Sequence, residues 1–93
     1  MSTSFTWSEA KRESNLAKHR LDFLDAVGVF TGVTFTVEDT RYCYSERRYM
    51  TLGLFREVPV CIIHTDHAEQ IRILSFRKAT RREAEIYFDE IRY

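Results

Sequence analysis

Basic residues crowd one junction of this chain. In QIRILSFRKATRRE, residues 70–83, the first half reads as a strand and the second opens a helix, with Arg72, Arg77, Lys78, Arg81 and Arg82 gathered about the join. A guanidinium is a planar fork of donors that matches phosphate or carboxylate oxygens in pairs, so the clustering points to an anionic ligand. Arg81 and Arg82 fall in the first turn of the coming helix, where the dipole disfavours cations; that placement is less odd beside a bound anion. The plainer alternative for Arg72 and Arg77 is ion pairing with Asp66, Glu69 or Glu83 on a solvated face.

A second constellation lies in EAKRESNLAKH, residues 9–19. Lys11, Asn15 and Lys18 recur at i, i+4 and i+7, and His19 stands one position round. A solvated helix face is the plainer reading of such a stripe. Imidazole titrates near about pH 6.5, which makes His19 and His64 the natural proton-transfer candidates. His64 reads more plainly as the polar end of an apolar strand, and His67 lies in a loop. The three histidines form no HExxH motif and no Cys/His ligand spacing, so neither a metal site nor a cofactor is expected.

The elements that must position these residues follow from pattern. A chain of 93 residues forms one domain, 1–93, and its 44% hydrophobic content fits a globular core. The formal net charge is zero, which removes any global basic field, so an anion site must come from local clustering. Neither an apolar leader nor a span of ~18 apolar residues is present, and the cytoplasm is the expected location. Cys43 and Cys61 read as two reduced thiols.

After a short apolar start at Phe5–Trp7, Ser8 caps a helix over 9–19. Asp22 caps a second helix whose core stripe is Phe23, Ala26, Val27 and Phe30, ended by Gly32. Val33, Phe35 and Val37 alternate as a half-buried strand, and EDTRYCYSER reads as an exposed connection. RYMTLGLF and VPVCIIHT form a hairpin across a polar turn at Arg56-Glu57, with Pro59 near the strand start or on a non-bonded side. A DHAEQ loop leads into IRILSF. Thr80 and Glu83 then form a capping box for a last helix with the stripe Ala84, Tyr87, Phe88 and Ile91. Strands grouped between helices predict an α+β fold: an antiparallel sheet of about four strands, two N-terminal helices and one C-terminal helix.

FTWSEAKRESNLAKHRLDF, ERRYMTLG and HTDHAEQIRILSFRKATRRE together resemble the BrnT family of type II toxin–antitoxin systems. The most specific pieces are Trp7 with Lys11, Asn15, Lys18 and His19; Arg48 before Leu52-Gly53; and Arg72 with Ser75, Arg77, Lys78 and Ala79. The resemblance implies a RelE-like fold and a growth-arresting endoribonuclease. It also implies neutralisation by a BrnA-like ribbon-helix-helix antitoxin, with operator DNA engaged only through that partner. Two positions depart from the family pattern: Arg20 stands where glycine is usual after Lys-His, and Phe76 where a small alanine is common.

Metal-free RNA cleavage needs a base for the 2′-hydroxyl, charge stabilisation for the phosphorane and a proton for the leaving oxygen. The resemblance therefore implies His19, Lys18, Arg48, Arg72, Ser75 and Arg77 as catalytic candidates, and Lys11, Asn15, Lys78, Arg81 and Arg82 as RNA-binding ones. Tyr42, Tyr44 and Tyr49 are candidates for base stacking, with strand packing the plainer reading of Tyr49. Strand alternation sets Arg72 opposite Ser75 and Arg77, so this grouping requires a bulge or an early end to the strand. The alternative function is a non-catalytic toxin fold acting as antitoxin partner and co-repressor. RYMTLGLF carries a candidate surface for a homodimer or for the antitoxin.

Overall fold

The computed structural model describes residues 3–92 and orders them as β1 (Ser4–Thr6), α1 (Glu9–His19), α2 (Phe23–Val29), β2 (Phe35–Glu38), β3 (Tyr49–Phe55), β4 (Val58–His67), β5 (Gln70–Lys78) and α3 (Arg81–Ile91). The sheet has five strands in the order β1-β5-β4-β3-β2. Every neighbouring pair is antiparallel except β1 with β5, which runs parallel and pairs Ser4, Phe5 and Thr6 with Gln70, Ile71 and Arg72. The short apolar start is thus a fifth, edge strand.

Alternation splits the sheet into two apolar faces. Val60, Ile62, Ile73 and Phe76 pack with Phe23, Ala26 and Val29 of α2. On the other face Leu52, Cys61 and Ile63 pack with Tyr87 of α3. Burying each large side chain contributes roughly 1.5–3 kcal/mol, more than the ~1 kcal/mol of a helix cap, so packing holds the helices in place. Two-sided cover is what the apolar run of β4 requires.

Caps then fix the ends. Ser8, Asp22 and Thr80 each accept a backbone N–H of their helix, and Thr80 with Glu83 completes the capping box. Arg20 ends α1 in the left-handed conformation at φ 61°, where glycine would carry no Cβ penalty. The β3–β4 turn uses Arg56 and Glu57, both at positive φ, a two-residue geometry that suits the sheet's twist. Pro59 sits one residue inside β4 opposite Leu54, just beyond the last β4–β5 pair, Val60 with Lys78.

Several expectations are corrected. The second helix ends at Val29, and turn bonds from Thr31 N–H to Gly28 O and Gly32 N–H to Val29 O close it, with no left-handed glycine. Val29 is buried where Val27 and Phe30 are only partly so. β2 begins at Phe35, so Val33 lies outside it and is exposed, and Val37 on this edge strand is exposed as well. The DHAEQ loop shrinks to Ala68 and Glu69, since His67 still pairs with Gln70. In α3, Ile86 packs inward while Phe88 is 48% exposed. The Tyr87 hydroxyl explains that rotation: it donates to Val33 O at 2.7 Å and pins the helix over β2.

Candidate functional site

The sheet edge at β5 is shared by two elements. β1 covers residues 70–72, and farther along α1 takes over through one side chain. Asn15 accepts from Phe76 N–H at 3.1 Å and donates to Phe76 O at 2.8 Å and Leu21 O at 3.0 Å. Its amide pairs with the strand as another strand would. Both amide hydrogens are thereby engaged and the residue is 8% exposed, so Asn15 builds the groove wall and has no donor left for phosphate.

Above that wall, Lys11, Ser14, Lys18 and His19 of α1 face Leu74 and Ser75 of β5 across an open groove. Burial, then the positive charges of Lys18 and Arg77, hold the His19 imidazole below its ordinary pKa. A neutral ring at physiological pH accepts a proton, as a general base must.

The parity obstacle resolves through a bulge. Ile63 pairs with Ser75 but His64 pairs with Ile73, so Leu74 is the extra residue. Arg72, Ser75 and Arg77 therefore share the α3 face, opposite Thr65, Ile63 and Cys61. Phe76 points to the other face, into the core against Phe55, and does not crowd Ser75. Arg72 is exposed and, among the described residues, makes no ion pair.

Arg77 is different. Its fork holds Glu83 at 2.8 and 3.0 Å, and both side chains are largely buried. Glu83 raises the Arg77 pKa and is itself held below the carboxylate range by it. The ion-pair alternative is what the structure contains, so Arg77 anchors α3 to β5 and adds charge near His19 at a distance. Lys78 lies on the opposite face beside Leu21, Phe55 and Val58, away from the groove. Arg81 and Arg82 are exposed on α3 and do not line it.

Arg48 stands outside the groove but in line with it. Carrying the β3–β4 register one residue past Tyr49 sets it opposite Thr65, which pairs with Arg72, which pairs with Thr6. This row crosses the α3 face with Arg48 and Arg72 about 10 Å apart, two strand spacings. Among the described residues, the buried side-chain polar atoms without a partner are Thr6 Oγ1 and Arg48 Nε, one at each end of that row.

His64 is not available for catalysis. It is 1% exposed, bonded to Thr51 Oγ1 and to Asp66 Oδ1 at 2.7 Å each, and packed on Phe30 and Tyr49. Tyr49 serves that packing. Cys43 is exposed and Cys61 buried, both free, with burial pushing the Cys61 thiol up to about 12. No three His, Cys, Asp or Glu side chains converge as a metal site among the described residues, and no helix is long and apolar enough to cross a membrane. Sequence reasoning missed Ser14, Leu74 and Thr6. Ser14 was readable between Lys11 and Lys18; Leu74 enters only through the bulge.

The family model for "Ribonuclease toxin, BrnT, of type II toxin-antitoxin system" matches residues 7–83. The crystal structure of the Brucella abortus ribonuclease toxin BrnT superposes with a TM-score of 0.62 at 26% identity, covering 86% of this chain and 100% of that one. No match emerges among curated proteins. With the match spanning most of its length, the chain belongs to the BrnT family of ribonuclease toxins of type II toxin–antitoxin systems.

Proposed function

We propose that this chain is a metal-independent endoribonuclease acting in the cytoplasm, and that the α1–β5 groove is where RNA is cut. The observation that carries this reading is the convergence of His19, Lys18, Lys11 and Ser75 on one open groove, with Arg72 on the adjoining sheet face. His19 takes the proton of a 2′-hydroxyl, whose oxygen attacks the adjacent phosphorus as the bond to the 5′-oxygen breaks. A 2′,3′-cyclic phosphate and a 5′-hydroxyl result, the latter protonated by Lys18 or solvent. Lys18 and Arg72 stabilise the extra charge of the phosphorane, and Ser75 donates to a non-bridging oxygen without forming a covalent intermediate. Lys11 holds a flanking phosphate.

Membership of a type II system implies an antitoxin partner. We take it to be a BrnA-like ribbon-helix-helix protein that blocks the groove and carries the complex to its operator.

The test is induction in a bacterium lacking the antitoxin, beside a His19→Ala/Arg72→Ala version shown to be folded, with growth and total RNA integrity followed. RNA loss with the wild type alone supports the assignment, and persistence of cleavage by purified protein in EDTA supports metal independence. RNA loss with both moves the site elsewhere. Soluble wild-type protein with intact RNA would shift the assignment to a non-catalytic antitoxin partner and co-repressor.

A further inference from the structure

The segment from Asp39 to Arg48 joins β2 to β3 and contributes no residue to either core cluster, yet it is firmly held. The Asp39 carboxylate, 0% exposed in its side chain, accepts from Arg41 N–H, Nε and Nη2 at 3.2, 2.8 and 2.9 Å and from the Tyr44 hydroxyl at 3.0 Å. Ordering such a segment costs conformational entropy that no core burial returns. What the order achieves is an open, mostly polar pocket of about 350 Å³. Tyr42 is held 69% exposed at its mouth, edge-on to Tyr44, whose ring carries the Arg48 guanidinium at 4.3 Å. Arg48 Nε is buried without a hydrogen-bond partner, while the guanidinium rests on the Tyr44 ring.

We propose that this cavity is a base-reading subsite that takes one unpaired guanine of the RNA strand bound in the α1–β5 groove. The inference rests on the RNA-cleaving assignment above and goes beyond it by naming the base and where it is read. The chemistry of the wall selects it. Guanine alone presents two adjacent donors, N1–H and N2–H, that match a carboxylate, together with O6 and N7 acceptors that match a guanidinium. Among the described residues Glu46 has no ion-pair partner, whereas Glu38 already pairs with Arg47 at 3.5 Å. Glu46 therefore takes the donor edge, Arg48 the acceptor edge, and Tyr42 stacks on the ring. The cavity adjoins the end of the row that runs from Arg48 through Thr65 to Arg72, so a short extended strand reaches both it and the groove.

The test uses the purified chain and four uncleavable 2′-O-methyl hexanucleotides, five uridines with one G, A, C or U at the third position, followed by fluorescence anisotropy. The G probe is expected to bind about 5- to 140-fold more tightly than the others, the range of one bidentate base contact. Tyr42→Ala and Glu46→Gln, both at exposed positions, should each remove most of that preference, while Lys18→Ala weakens all four probes alike. Equal binding of all four by the wild type, or a G preference that survives both substitutions, overturns the subsite and leaves the RNA-binding assignment standing. Failure of every probe to bind overturns both.

Discussion

Replacing Asn15 with alanine tests whether this side chain is architecture or a hand for RNA. The substitution removes three hydrogen bonds and leaves Phe76 N–H and Phe76 O, 61 residues away in sequence, without partners at a buried sheet edge. Each orphaned backbone group costs about 1–3 kcal/mol, so the two together cost about 2–6 kcal/mol. Domains of this size have only about 5–15 kcal/mol in hand. In urea, with a slope of about 1–3 kcal/mol/M, a loss of ~3 kcal/mol lowers the midpoint by about 1–3 M, and in a thermal scan it lowers Tm by about 12–24 °C. Asn15→Asp sharpens the test. At pH 7 its carboxylate still accepts from Phe76 N–H but sets a second oxygen against Phe76 O and Leu21 O; below its pKa the protonated group donates again, so the deficit should shrink in acid. An Asn15→Ala protein within about 0.5 kcal/mol of wild type, or one equally stable but unable to bind RNA, would refute the reasoning.

Arg20→Gly should stabilise the chain by roughly 0.5–1 kcal/mol, because φ 61° carries no Cβ penalty for glycine; chemical denaturation reads the sign. Gly53→Ala should cost about 1–3 kcal/mol, since the new Cβ would lie 2.7 Å from Val29 Cγ1, and Val29→Ala should recover part of it in a double-mutant cycle. Arg77→Ala should cost about 1–3 kcal/mol by stranding Glu83, with RNA affinity of the folded fraction changing less than after Arg72→Ala; melting and anisotropy separate the two. Burial holds the His64 pKa below its ordinary value, so the unfolded chain binds more protons as pH falls below about 6.5, and stability should fall there while staying flat above. His64→Asn should flatten that slope in part, leaving the similar contribution of His19, whose pKa is also lowered.

Much of this molecule is local and therefore legible in the chain. Ser8, Asp22 and the Thr80–Glu83 box are caps set by residues two or three apart, and the Arg56-Glu57 turn is fixed by the strands it joins. The stripe Lys11, Lys18 and His19 follows from the helical repeat, and all three do line one groove.

What tertiary structure alone decided lies between residues far apart. Strand alternation put Arg72 on the wrong face from Ser75, and only the bulge at Leu74 reconciled them, since a register shift is set by how two strands meet rather than by either sequence. Asn15 in a polar helical stripe looks identical whether it faces solvent or a strand 61 residues on; the edge of β5 assigned it. Arg77 was a phosphate ligand or an ion-pair partner until the packing of α3 brought Glu83 within 2.8 Å. The sequence determined which groups this protein has and how its elements begin and end. The pairing of those elements decided which groups remain free for a ligand, because a donor already satisfied by the fold has nothing left to offer one.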